Sequence, residues 1–172
     1  MIDTHAHLDA CEAPSGELLA SARAAGVGRV VTIGSGIESC RAALALAEEH
    51  EGVFAALGIH PHQAGGPEAG RLGELAGLLA HERAVAVGET GLDFYRDRAP
   101  RQSQQALFDA QLELAERLGK PVVIHARESE AAVASALVGF AGRVILHCFS
   151  SPALLEPALE RGWYVSFAGN VT

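Results

Sequence analysis

Five short motifs place histidine or glutamate directly after runs of apolar residues. The motifs THAHLD, GIHPH, GETGLD, VVIHAR and VILHCF contribute His5, His7, His60, His62, Glu89, His125 and His147. Imidazole and carboxylate together form a ligand set that binds Zn, Mn, Fe or Ni, whereas Mg prefers oxygen ligands. These residue types therefore predict a divalent metal centre, provided that the fold brings the motifs together.

The ligands are numerous enough to hold two cations. His5 and His7 are two residues apart on an extended segment, so both imidazoles point to the same side. Glu89 has two carboxylate oxygens, and two cations about 3.5–4 Å apart can clamp a phosphoryl group during its displacement. We expect one metal at His5, His7 and Glu89, and a second at Glu89, His125 and His147.

Alternating strands and helices must position these ligands. The sequence predicts seven strands, at Ile2–His5, Arg29–Ile33, Val53–Ile59, Ala84–Gly88, Pro121–His125, Arg143–His147 and Trp163–Phe167. Helices are predicted between them, with helical signals at Ser15–Ala25, Ile37–His50 and Arg101–Leu118. The strands are mostly apolar without alternation, as in parallel sheets covered on both faces. The chain is therefore expected to form a single α/β domain over residues 1–172.

Two layouts fit this order of elements, an open doubly wound sheet and a TIM-type (β/α)₈ barrel. The open sheet would usually carry a glycine-rich phosphate turn after its first strand, and this chain has THAHLD there. The barrel is favoured because it gathers the carboxyl ends of all strands on one face. Such barrels typically need about 250 residues, so we expect the eighth strand to be missing and the domain to be incomplete at its C-terminus.

Residues near the expected metal face are candidates for substrate contacts. His60 belongs to this group, and Asp93, in the loop after the fourth strand, could orient an imidazole. The same loop carries Arg96 and Arg98, while Arg127 follows the fifth strand. Arginine forks match phosphate oxygens, so Arg96 and Arg127 are predicted phosphate contacts. The alternative is that these arginines belong to solvated loops.

Composition limits the class of protein. The net charge of −8 argues against a broad basic face for duplex DNA, although bound cations can supply positive charge locally. No apolar run approaches the roughly 20 residues that cross a bilayer, and MIDTHAHLD lacks the features of a signal peptide. The three cysteines form no CxxC pair. We therefore expect a cytoplasmic protein without a membrane partner.

The five motifs, in this order and spacing, resemble those of the TatD family of metal-dependent deoxyribonucleases, members of the amidohydrolase-like TIM barrels. The likeness covers essentially the whole chain. It implies a divalent-metal nuclease, typically active with Mg, that degrades single-stranded or duplex DNA, often as a 3′–5′ exonuclease. Carried over by motif, it implies the two metal sets given above, with Glu89 shared between them. It also places His62 at the scissile phosphate as a catalytic residue.

Two features differ from the family pattern. Thr90 stands in GETGLD where the family commonly has isoleucine, and no ETD motif supplies the metal-binding aspartate of an eighth strand. Two other functions therefore stay open. One is a hydrolase of the same fold that acts on another ester or amide bond, such as that of aminoacyl-tRNA. The other is a truncated barrel that binds metal without activity.

Overall fold

The predicted alternation of strands and helices is present in a computed structural model, which describes residues 1–169. The strands in this range are β1 Ile2–Ala6, β2 Arg29–Gly34, β3 Val53–Leu57, β4 Ala84–Asp93, β5 Val122–Arg127, β6 Val144–Leu146 and β7 Tyr164–Val165. The α-helices are α1 Ser15–Ala24, α2 Ile37–Glu49, α3 Leu72–Leu79, α4 Arg101–Leu118, α5 Glu130–Ala136 and α6 Pro152–Arg161. Short 3₁₀ helices occupy Leu8–Ala10, Pro61–Gln63 and Pro67–Gly70.

The strands form one parallel sheet in chain order, from β1 to β7. The sheet is curled, because the rings of His5 in β1 and His147 just after β6 stack with centroids 3.7 Å apart. In a flat sheet, five strand spacings of about 4.8 Å would separate these strands by about 24 Å. This curvature is that of a TIM-type barrel, and the fold class predicted from the sequence is confirmed.

The two edges of the sheet, β1 and β7, do not pair with each other in the described part of the chain. A cleft of about 530 Å³ lies between them, lined in part by Ile2, Thr4, Val165 and Phe167. The side chains of Ile2 and Phe167 are 52% and 65% exposed. Residues 1–169 thus form seven strands of the barrel.

Strand residues pack on both faces of the sheet. In β5, Val122 and Ile124 belong to the large cluster between sheet and helices, whereas Val123 lies in a small cluster with Ile33 and Ala86. Successive strand residues point to opposite faces, so the small cluster lies on the inside of the curled sheet, where Ala86 and Val123 also line a cavity of about 420 Å³. Both faces are therefore apolar, which explains why the strand sequences show no alternation.

Helix boundaries follow signals that the sequence carries. Gly119 adopts a left-handed conformation with φ of 64° and ends α4, while Pro152 occupies the first turn of α6. Glycine is favoured where a helix ends in a left-handed conformation, because it lacks a Cβ atom. Proline is tolerated in the first turn of a helix, where its missing N–H would have no intrahelical partner. No helix among residues 1–169 is long and apolar enough to cross a membrane.

Candidate metal centre

A buried carboxylate lies among the strand ends. Glu89, in β4, is 4% exposed. Its Oε1 is 2.8 Å from Nδ1 of His125 and 3.3 Å from Nε2 of His147. Nε2 of His60 lies 3.6 Å from the same oxygen. Side chains from three strand ends therefore converge on one oxygen of Glu89.

The second oxygen of Glu89 faces the first motif. Oε2 is 3.5 Å from Nε2 of His5 and 3.6 Å from Nε2 of His7. These two nitrogens are 3.3 Å apart, so both imidazoles point to the same place, as the two-residue spacing predicts. Nδ1 of His5 is buried and has no hydrogen-bond partner within the described residues.

The imidazoles can be grouped in two ways. By the nearer oxygen of Glu89, they fall into two groups, one of His5 and His7 and one of His60, His125 and His147. By the mutual distances of their ligand atoms, two triads lie within 4.8 Å, namely His5, Glu89, His147 and His60, Glu89, His125. The first grouping contains both expected metal sets with His60 added to the second, whereas the triads divide the residues differently because curvature brings His5 of β1 against His147 after β6. The metal sets stay a prediction. Both groupings place His60, expected at the substrate, among the possible metal ligands.

Asp93 forms a second layer around these imidazoles. Its Oδ2 is 2.8 Å from Nε2 of His62 and 3.3 Å from Nε2 of His125. Its Oδ1 accepts the backbone N–H groups of Tyr95 and Arg96. Asp93 is only 1% exposed, and its carboxylate contacts two imidazoles and two backbone N–H groups, which is the arrangement of a residue that orients imidazoles. Its expected contact with a substrate stays a prediction.

The electrostatics keep the carboxylates ionised. Burial opposes the ionisation of Glu89, but hydrogen bonds from His125 and His147 hold its pKa well below the ordinary value. Burial likewise opposes the ionisation of Asp93, but the N–H of Arg96 and the imidazole of His62 lower its pKa. Burial lowers the pKa of His62, whereas Glu89 and Asp93 outweigh burial at His125 and raise its pKa.

A cavity of about 570 Å³ opens beside Glu89 at the carboxyl ends of the strands. In addition to His7, His60, His62, His125 and His147, it is lined by Ser35, Gln63 and Arg98. Arg96 and Arg127 do not line this cavity and pack against Tyr95, with guanidinium carbons 5.7 and 4.0 Å from its ring centroid. Asp93 fixes the backbone of the loop after β4. Arg98, in the same loop, lines the cavity.

Glycines allow β4 to bend around Glu89. The register of β4 on β5 shifts at this point. Gly88 and Gly91 have φ angles of 141° and 132°, which L side chains rarely adopt. A Cβ atom would lie 2.5 Å from the carbonyl oxygen of Val123 at Gly88, and 2.1 Å from that of His125 at Gly91. The GETG sequence thus permits the close approach of β4 and β5 that joins Glu89 to His125.

Two buried glutamines of α4 complete the surroundings of the site, and the sequence analysis did not identify them. Gln111 bonds both the N–H and the C=O of Ile59, and Gln104 does the same at Asp93. Their seven-residue spacing puts both on the apolar face of α4. Two glutamines on the apolar face of a predicted helix were the sequence signal that could have identified them.

A parallel sheet curled as a TIM-type barrel, with imidazoles gathered around one carboxylate at the strand ends, defines a metal-dependent hydrolase. Comparison with known proteins identifies the family. The model of TatD related DNases matches residues 2–172. An uncharacterized metal-dependent hydrolase of Mycobacterium tuberculosis named TatD is 40% identical, over 100% of this chain and 70% of that protein. The chain belongs to the TatD family of metal-dependent hydrolases and is an enzyme of that family.

Two further relatives extend the comparison. The crystal structure of YJJV, a TatD homolog from Escherichia coli K12, matches with a TM-score of 0.89 and 33% identity, over 100% of this chain and 69% of that chain. A protein of Edwardsiella piscicida named 3′-5′ ssDNA/RNA exonuclease TatD is 35% identical, over 89% of this chain and 61% of its own length.

The close approach of β4 and β5 gives a prediction about stability. Gly91→Ala should lower the free energy of unfolding by about 1–3 kcal/mol, because of its positive φ and the contact with the His125 carbonyl. Gly77→Ala is the matched control, since Gly77 lies inside α3 with open space around it and alanine should raise stability by up to about 1 kcal/mol. Urea denaturation measures both. A Gly91→Ala protein as stable as the wild type would contradict the steric account.

Proposed function

We propose that this chain hydrolyses phosphodiester bonds in DNA, using two divalent cations that share the carboxylate of Glu89. The observation that carries the proposal is the division of the imidazoles between the two oxygens of Glu89. His5 and His7 face Oε2, while His60, His125 and His147 face Oε1. A carboxylate with ligands on both oxygens can bridge two cations, and pairs of cations are suited to phosphoryl displacement.

The residues around Glu89 fit divalent cations. On each side, the imidazole nitrogens lie within 3.6 Å of a carboxylate oxygen of Glu89, and the low pKa of Glu89 keeps its oxygens as acceptors. Cations bound there would polarise the phosphate and activate water, with Mg as the expected ion in activity and Zn, Mn or Ni as possible substitutes. Imidazoles bind cations in their neutral form, so His125 must release its proton when it becomes a ligand.

His62 is the proposed catalytic residue at the scissile phosphate. The bond from its Nε2–H to the ionised Asp93 fixes the imidazole and places the proton of the neutral ring on Nε2. Nδ1 is then the ring nitrogen that can exchange a proton with the substrate. Arg98 lines the same cavity and supplies a positive charge for phosphate oxygens. We propose Arg96 and Arg127 as contacts for phosphates farther along the strand.

DNA is the proposed substrate, as a single strand or at duplex ends. The family is described as DNases, and the relative from Edwardsiella piscicida is named an exonuclease of single-stranded DNA and RNA. A net charge of −8 is compatible with such a substrate if the bound cations provide the local attraction. The cytoplasmic location expected from the sequence stays a prediction.

Cleavage assays test the substrate directly. We expect 5′-labelled single-stranded DNA to shorten stepwise from its 3′ end in the presence of Mg or Mn, because the cations complete the site. A chelator should stop the reaction, and RNA, duplex DNA, aminoacyl-tRNA and simple esters serve as parallel substrates. Cleavage that survives exhaustive chelation would refute the metal mechanism. Turnover of esters or aminoacyl-tRNA without cleavage of DNA would assign another substrate.

Metal titration tests the role of Glu89. The wild type should bind about two divalent ions per chain, since both carboxylate oxygens carry imidazole partners. Glu89→Ala should lose both ions, whereas His147→Ala should weaken mainly one, and His81→Ala, remote from the site, is the control. Elemental analysis after dialysis gives the stoichiometry. Two ions retained in Glu89→Ala would mean that another group bridges them.

Replacement of His62 separates catalysis from metal binding. His62→Ala should lower kcat by about 10²–10⁴-fold, the usual contribution of a positioned proton-transfer group, with metal content unchanged. His50→Ala serves as control, because His50 bonds Ser15 outside the site. The two measurements are kcat on single-stranded DNA and bound metal per chain. Loss of a metal ion in His62→Ala would make His62 a ligand instead.

A further inference from the structure

Helix α4 carries two buried side-chain amides on the face that packs against the sheet. Gln104 and Gln111 are both 0% exposed. Seven residues separate them, which is close to two helical turns and about 10.5 Å along the axis. Each amide bonds the backbone at a carboxyl end of a strand, close to the metal centre. Gln111 bonds a residue just after β3, and Gln104 bonds the last residue of β4.

Gln111 joins the segments that follow β3 and Glu89. Its Oε1 accepts the N–H of Ile59 at 2.8 Å, and its Nε2 donates to the C=O of Ile59 at 2.9 Å. Nε2 also donates to Oγ1 of Thr90 at 2.7 Å. Ile59 directly precedes His60, and Thr90 directly follows Glu89. One buried amide thus fixes the backbone beside two residues of the candidate metal centre.

Gln104 acts in the same way at the end of β4. Its Oε1 accepts the N–H of Asp93 at 2.9 Å, and its Nε2 donates to the C=O of Asp93 at 3.1 Å. A second bond from Nε2 reaches the carbonyl of Ala99 at 2.9 Å and closes the loop after β4. The backbone of the residue that holds His62 and His125 is therefore fixed by a side chain of α4.

The chemistry explains why glutamine is needed at both places. Ile59 lies beyond the last paired residue of β3, and its buried N–H and C=O need partners that the sheet ladder does not provide. A primary amide supplies a donor and an acceptor together, as a neighbouring strand would. Methionine has the same reach without either group, and glutamate keeps the acceptor but loses the amide donors.

We propose that Gln104 and Gln111 are positioning residues of the metal centre, which hold the site through backbone and not through contact with metal or substrate. Gln111 sets the position of His60 and Glu89, and Gln104 sets that of Asp93 and thereby of His62. The inference rests on the metal site of the proposed function. It extends that site to a helix on the outside of the barrel.

The two glutamines should give different defects. Gln111→Met is expected to weaken Mn²⁺ binding by about 10- to 100-fold, the usual effect of removing a group that orients metal ligands. Gln104→Met should lower kcat on single-stranded DNA while it changes Mn²⁺ affinity less than Gln111→Met does. Gln105→Met is the matched control on the same helix, because its amide bonds only a side chain of α4, Asp109, among the contacts described. Isothermal titration with Mn²⁺ and steady-state kinetics measure both quantities.

Folding defects are separated by milder variants. Thr90→Val removes only the hydroxyl that accepts from Gln111, and Gln111→Glu keeps the acceptor for the Ile59 N–H at the same size. Circular dichroism should show that both variants are folded, and both should bind Mn²⁺ more weakly than the wild type. Wild-type Mn²⁺ affinity in folded Gln111→Met, or in both milder variants if Gln111→Met does not fold, would overturn the positioning role of Gln111. Unchanged kcat in folded Gln104→Met would overturn that of Gln104.

This design also separates the inference from the function on which it rests. Mn²⁺ affinity is measured without any substrate, so a wild type that binds Mn²⁺ and cleaves no DNA would refute the proposed substrate and leave the titration of the Gln111 variants decisive. Conversely, DNA cleavage together with unaltered Mn²⁺ affinity in the Gln111 variants would support the function and refute the positioning role.

Discussion

The structure depends on one buried negative charge. Glu89 is 4% exposed, and a carboxylate removed from water is costly unless hydrogen bonds or opposite charges surround it. Imidazoles from the ends of β1, β3, β5 and β6 provide that surrounding, with the nearest contact at 2.8 Å. Strands that are far apart in the sheet order can meet at one carboxylate only if the sheet curls. The site therefore requires the curvature of the barrel.

Two features of the structure make this convergence possible. Glycines allow β4 to approach β5 closely, and side-chain amides of α4 bond the backbone near the strand ends. Gly88 and Gly91 leave room for the carbonyls of β5, where any Cβ would collide. Gln111 supplies hydrogen-bond partners to Ile59 beyond the ladder of β3, and Gln104 supplies them to Asp93, the last residue of β4. Thr90 stands where isoleucine is common in the family. Its buried hydroxyl accepts a hydrogen bond from the amide of Gln111. The outer helix, the strand ends and the ligands thus form one connected polar layer inside an apolar fold.

Local signals made much of this layer predictable from the sequence. Strands such as Val122–Arg127 carry apolar runs, and each ligand directly follows or ends such a run, so both the barrel and the ligand-bearing strand ends could be inferred. Contacts across the barrel could not. The meeting of His5 with His147, the proximity of His60 to Glu89 and the place of Arg98 in the cavity depend on curvature and loop conformation. The amide of Gln111 bonds backbone 52 residues away, and periodicity carries no information about such a partner.

The charge distribution links substrate attraction to catalysis. The chain has a net charge of −8, and its cavity contains one arginine, Arg98, among the lining residues described. A polyanion would be repelled by such a protein at long range, so protein charge alone does not explain affinity for a phosphodiester. Divalent cations at Glu89 would reverse the sign of the potential at the point where the phosphate must bind. If the proposed function holds, binding of the polyanion and its hydrolysis have the same physical origin, and an acidic barrel needs no basic face to act on its substrate.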